Sequence, residues 1–278
     1  MKKLSAPKIV AFLFLLIMAL IWVIPLAYAF FSSFKLEADI QSMGFTILPV
    51  HWVMENYQQM LFNNSSAPLA KWFMNSMIIA VSQTILVLLV VSLAGYGYSR
   101  LKFKGRDALF VFLMATMMFP GVVNLIPLYK IIDSLGWVNS YLAAIVPGAA
   151  GVVNIFLVKQ FMSGIPKEFD ESARVDGASE FQIFIKIILP LIKPILTVVA
   201  LFTFTGAWND FLWPSIVFND IEKMPITPGL QLLQGMYQSV VGVSTAAAII
   251  AMVPTFILYL FTQKYFLESM SLSSGVKG

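Results

Sequence analysis

No cysteine occurs in the 278 residues, and His51 is the one histidine. The first absence removes disulfides, thiolate metal sites and thiol redox chemistry together. The second leaves no imidazole pair for a metal, and His51 reads as an ordinary residue of a polar connection. Charge is scarce as well, at 12% of residues against 59% hydrophobic. A soluble domain cannot hide that much apolar surface. The glycine-rich G-x-x-x-x-G-K-[ST] loop that cradles nucleotide phosphates is missing. No relay of Asp, Glu and His crosses the apolar runs and no arginine ladder lines one, which weakens proton-coupled and voltage-sensing readings. Sodium coupling through backbone carbonyls at broken helices is less strongly excluded. No nucleophile with its base, and no metal constellation, suggests a membrane hydrolase.

What is present is uninterrupted apolar sequence. Uncharged runs cover 9–34, 72–99, 108–129, 134–158 and 224–263, each longer than the roughly 18 residues that suggest a membrane span. Dividing them at prolines, charges and turn residues predicts an all-α membrane domain over 1–278. Its six helices are expected near 9–31, 72–98, 108–129, 137–158, 194–215 and 241–264. The connections then alternate sides. Fourteen of the 18 Lys and Arg residues fall on the side that holds both termini and 159–193; Lys35, Lys71, Lys130 and Lys223 fall on the other. That bias predicts cytoplasmic termini and explains the net charge of +4 as topology rather than as a nucleic-acid footprint. Lys2, Lys3 and Lys8 ahead of an apolar stretch and Ala27-Tyr28-Ala29 look like a cleavable leader. The run is long for one, so a retained helix is expected.

Trp22, Trp72, Trp137, Trp213 and Tyr265 lie near predicted span ends, as interfacial anchors do. Gly95, Gly97, Gly148 and Gly151 would let helices approach closely. Pro120, Pro127, Pro147 and Pro254 suggest kinks. The 15 methionines read as packing filler.

One segment departs from this pattern. In "KEFDESARVDGASEFQ", the acids Glu168, Asp170, Glu171, Asp176 and Glu180 crowd together in an otherwise oily chain. Pro166 suits a helix start, and the acids favour the positive end of its dipole. That helix should stop at Asp176-Gly177, with glycine in the left-handed conformation. Ser179 and Gln182 form a capping-box pattern for a second helix through "FQIFIKIIL", ending at Pro190. The first helix is too short to stand alone in water. Phe169 and Ala173 share a face at i, i+4, and Ser172 with Ala173 offers a small-residue surface. Periodicity leaves two readings open, a helix docked in a partner's groove and a solvated linker.

The stretch "ESARVDGASEFQIFIKIILP" resembles the EAA loop of binding-protein-dependent ABC importers. Glu171, Ser172, Ala173, Gly177, Ile187, Leu189 and Pro190 occupy its pattern positions, with Ser172 in place of alanine as the one departure. "IPLYKIIDSLGWVNSYLAAIVP", "WNDFLWPSIVF" and the closing "SLSSGVKG" look like the carbohydrate-uptake branch, in the manner of the second membrane subunit of maltose-type importers. The resemblance implies a type I importer permease in the bacterial inner membrane, non-catalytic and without a cofactor of its own. Its implied partners are a second related permease, two ATPase subunits that bind ATP and Mg, an extracytoplasmic solute-binding protein, and a carbohydrate. It implies that the loop at 159–193 meets the ATPase, with Phe169, Glu171, Ser172, Ala173, Asp176, Gly177, Ile187, Leu189 and Pro190 as coupling residues. Asn124, Trp208, Asn209 and Asp210 are candidates for the sugar path, since indoles stack on sugar rings and amides bond hydroxyls. The segment 32–71 is expected to offer part of the binding-protein face or to serve as a plain connector. The tail "ESMSLSSGVKG" would lie against the ATPase or fray. Alternatives are an ABC permease for another solute, such as a glycerophosphodiester, and a self-sufficient secondary transporter.

Overall fold

Residues 6–42, 46–62, 67–236 and 240–274 are described in the computed structural model, with side chains for 7–41, 46–62, 67–236 and 240–263. Tyr265 and the C-terminal tail, as side chains, therefore lie outside the described residues. Among those described, the regular structure is helical, and an isolated antiparallel bridge joins Lys35 to Trp52. The chain divides into two compact units, one of residues 1–70 with 229–256 and one of residues 71–228 with 257–278.

The first unit opens with α1 (Ala6–Ser32), apolar on every side and running unbroken through Ala27-Tyr28-Ala29. Its apolar side chains, Phe14 and Trp22 among them, are exposed, a pattern that calls for lipid or another chain around it. Two short helices follow, α2 (Glu37–Ser42) and α3 (Glu55–Phe62). They are tied down rather than strung out. Buried Asn56 donates to the carbonyls of Ser33 (2.9 Å) and Lys35 (3.0 Å), and Ser33 Oγ meets the Tyr57 hydroxyl at 2.7 Å. His51 Nδ1 sits 3.0 Å from Asp39 Oδ2, so the histidine is a structural partner in this connection.

The second unit is organised on α4 (Leu69–Arg100). Its 32 residues span about 48 Å at 1.5 Å per residue, against a hydrocarbon core of about 30 Å. The next apolar run is not one straight span: α5 (Arg106–Thr116) breaks before a 3₁₀ turn at Gly121–Asn124 and α6 (Leu125–Ser134), with a bend of 94°. Pro120 is the cause, since it lacks an N–H and drives Phe119 out of helical geometry. The expected span at 137–158 is also interrupted. The helix α7 (Tyr141–Ile145) ends just before Pro147-Gly148, and α8 (Val152–Ser163) restarts beyond it.

After the loop helices α9 (Glu168–Val175) and α10 (Glu180–Ile183), a π-helical turn at Phe184–Ile188 leads into α11 (Leu189–Leu191). Pro190 does not end this helix, contrary to expectation. It sits in the first turn of α11, where a missing N–H loses nothing, and the chain bends by 75° into α12 (Lys193–Asn209). Asp210 is extended, and α13 (Leu212–Val217) closes the run. The last helices, α14 (Ile226–Met236) and α15 (Val241–Ser274), pass between the units in sequence.

Three helices among the described residues are long and apolar enough to cross a membrane alone, or five if each bent pair is one span, beside the shorter apolar α8. Inside lipid, apolar burial brings no hydrophobic gain, and close packing has to hold helices together. Gly95 provides this: a Cβ there would lie 2.7 Å from Val158 Cγ1 of α8. Trp72 and Trp213, expected as interfacial anchors, are instead buried, and their indole N–H groups bond the carbonyls of Ile221 (2.6 Å) and Ala143 (2.8 Å). A buried indole N–H needs a partner, and backbone carbonyls supply it.

Candidate functional site

The acidic segment folds as two helices around a tight turn. Helix α9 runs from Glu168 to Val175, with three acids in its first turn. Gly177 has φ +82°, the left-handed conformation that a side chain would strain. Ser179 then caps α10 in a full capping box, its N–H donating to Gln182 Oε1 at 2.9 Å.

Helix α9 is not free. Ala173 packs into a core with Val91 and Tyr96 of α4, Val158 and Met162 of α8, and Ile183, Phe184 and Ile188 of the segment that follows. Beside it, Asp170 is 2% exposed and its Oδ2 lies 3.1 Å from Arg100 Nε, at the last residue of α4. Arg100 Nη2 also donates to the Ile165 carbonyl at 2.9 Å. The ion contact is close but not aligned as a hydrogen bond, and Asp170 Oδ1 has no hydrogen-bond partner. Burial pushes the Asp170 carboxyl above its ordinary range, with the Arg100 charge opposing that shift. A second pair reinforces the turn: Arg174 Nε meets Glu180 Oε1 at 2.7 Å, and the Tyr96 hydroxyl donates to Glu180 Oε2 at 2.6 Å.

The buried face of α9 is thus Asp170 with Ala173. Phe169, expected on the face of Ala173, is 48% exposed and points away. The inward face is centred between Asp170 and Ala173, which turns Phe169 toward the outside. Phe169, Glu171, Ser172, Val175 and Asp176 stay exposed together, and Val175, at 88%, is the most open of the apolar ones. Ile187 and Leu189 are partly buried against the same core as Ala173, so these motif positions position the loop.

At the other end of α4 the buried contacts are neutral. Asn75 Nδ2 donates to the carbonyls of Glu222 (2.8 Å) and Met224 (3.0 Å), and Ser76 Oγ accepts the Ile226 N–H at 2.8 Å. Lys71 and Glu222 form an exposed pair at 2.7 Å.

The four sugar-path candidates part company. Trp208 is buried, parallel to Phe204 with centroids 6.0 Å apart and edge-on to Phe73, so its ring faces are occupied by protein. Asn209 is exposed but donates to the Thr205 carbonyl of its own helix at 2.9 Å. Asp210 accepts from the backbone N–H groups of Trp213 and Leu212. Asn124 is exposed at the break before α6.

Residues 88–271 match the profile of the binding-protein-dependent transport system inner membrane component. The chain belongs to this family. The arabinooligosaccharides transport system permease protein AraQ of Bacillus subtilis is 33% identical over 99% of this chain and 97% of its own length. The maltodextrin transport system permease protein MdxG of the same organism is 32% identical over 98% of this chain and 96% of its own. A chain in the crystal structure of a bacterial ABC transporter that imports the acidic polysaccharide alginate superposes with a TM-score of 0.84 at 25% identity. That match covers 96% of this chain and 100% of the alginate one. The permease therefore has the type I ABC importer fold and is a multi-pass membrane protein.

Sequence reasoning missed two residues of this permease's loop site, Arg100 and Tyr96. Arg100 was counted only as a topological charge. Its signal was position, an arginine closing a long apolar helix, but nothing local to it names Asp170 as its partner.

Proposed function

We propose that this permease forms half of the sugar path in an ATP-driven importer and is moved through α9 by an ATPase subunit. The observation that carries the reading is the division of α9 into two faces. Ala173 and Asp170 fasten it to the end of α4, while Phe169, Glu171, Ser172 and Val175 remain open. A short helix gripped on its open face and bolted on the other transmits displacement instead of absorbing it. The fourteen-to-four distribution of basic residues supports a cytoplasmic position for this loop and both termini. The chain holds no nucleotide loop, so ATP and Mg belong to two partner ATPases. A second permease completes the path, and a solute-binding protein delivers the sugar from outside.

Alternating access is then a population shift, in which the ATPase must contact α9 differently in its two states. Glu171 supplies the charged contact, Phe169 and Val175 the apolar one, and Gly177 the turn that sets the angle of α9. The oligosaccharide names of AraQ and MdxG support a carbohydrate as substrate. Asn124 is the open polar group of the path; Trp208 reaches a sugar only if its aromatic stack opens. Glu171→Lys and Gly177→Asp are expected to abolish uptake of sugar by the assembled complex while the chain still inserts and ATP is still hydrolysed. Normal uptake in both variants rejects the assignment.

A further inference from the structure

Next to α9 lies a cleft whose charges, Arg100 apart, the coupling scheme leaves unused. A cavity of about 430 Å³ opens between the end of α4, the first turns of α5 and the second half of α8, reaching Lys167. Arg100, Arg106, Lys159 and Lys167 line it against one carboxylate, Asp107, which Arg106 already pairs at 2.8 Å. Lys159 Nζ is held 4.9 Å over the Phe110 ring. Lys167 is exposed. At the back of the cleft, the Arg100 side chain is 1% exposed, and its Nη1 has no hydrogen-bond partner. A buried guanidinium N–H without a partner marks a place for an acceptor.

The remaining lining is mixed: Ser99 and Ser163 are polar, while Tyr98, Phe110 and Val111 bring apolar surface. Phe110 and Val111 face the cleft from α5, and Val111 is 66% exposed. Cations therefore sit where the apolar helices α4 and α5 meet in a turn that also carries exposed Lys102 and Lys104, with apolar surface on one side. A small soluble anion would use the cations and leave Val111 uncovered. A lipid uses both: the phosphate among the basic side chains, the acyl chain along Val111. Basic pockets between membrane helices on the cytoplasmic side hold anionic headgroups in this way.

We propose that this cleft is a binding site for the headgroup phosphate of an anionic phospholipid, with Arg106, Lys159 and Lys167 as its cations and Arg100 Nη1 as the donor at its back. The proposal rests on the cytoplasmic orientation given above. Occupied, the site would brace the junction from which α9 departs.

The test uses the full chain in a neutral detergent, with retained lipid read by native mass spectrometry and thermal midpoint. Phosphatidylglycerol should be retained and raise the midpoint; phosphatidylcholine should do neither. Lys159→Gln with Lys167→Gln should weaken phosphatidylglycerol about thirtyfold, from two lost cations, and Lys167→Gln alone, at an exposed position, about fivefold. Equal retention of phosphatidylcholine, or undiminished binding by both variants, overturns the site. Protection by inorganic phosphate equal to that by lipid overturns the lipid assignment in favour of a soluble anion. Variants that keep the lipid but lose capture of the ATPase overturn it in favour of a protein contact. No ATPase is needed for the lipid measurement, and Glu171→Lys should bind phosphatidylglycerol as the parent does, so failure here and failure of the coupling reading are separate outcomes.

Discussion

The two ends of α4 are fastened by different chemistry. At its start, Trp72, Asn75 and Ser76 bond the backbone of 221–226 through neutral groups. At its finish, Arg100 meets Asp170 in a buried ion pair, with Tyr96 reaching Glu180 close by. Neutral bonds to backbone can tolerate small shifts of the loop they hold. A buried ion pair has one good arrangement, and separating it leaves a charge stranded. The difference teaches where stiffness is placed: at the end that bears α9, next to that helix's exposed face.

The largest expected effect breaks that contrast outright. Arg100→Met or Asp170→Leu alone should destabilise the loop by about 3–5 kcal/mol, because each strands the other's charge, whereas the double variant should lose less than either single one. Limited proteolysis of 159–193 together with the thermal midpoint of the full chain measures this. A double variant as damaged as the two singles summed would show that no such pair exists. At the neutral end, Asn75→Ala should lower stability by about 1–3 kcal/mol, since two carbonyls lose their donor, and should loosen 221–226 without exposing 159–193 to protease. The smallest effect belongs to the half-exposed pair at the turn. Arg174→Gln should change stability by less than about 1 kcal/mol and should fade in high salt; a larger, salt-insensitive loss would move Glu180 from the surface into the buried set.

Local features of the 159–193 loop were legible because they depend on near neighbours in the chain. The stop at Asp176-Gly177 and the Ser179–Gln182 box need only a few residues each, and both form as expected. Which side of α9 is buried was not legible. Phe169 is the more apolar residue, yet Asp170 takes the inside because Arg100, 70 positions earlier, waits there. Trp208 failed as an open sugar platform for a similar reason: Phe73, remote in sequence, already covers it. Val175 reads in the sequence as one valine after an arginine, and only the structure shows how open it is.

Composition and spacing by themselves determined the membrane class, the apolar runs, the EAA pattern and the turn geometry, since hydropathy and capping act over one helix or less. The buried face of α9 and the basic cleft beside it were decided by tertiary structure alone. Each depends on which distant backbone or charge satisfies a group that has left water, and a linear sequence does not say which partner will be near.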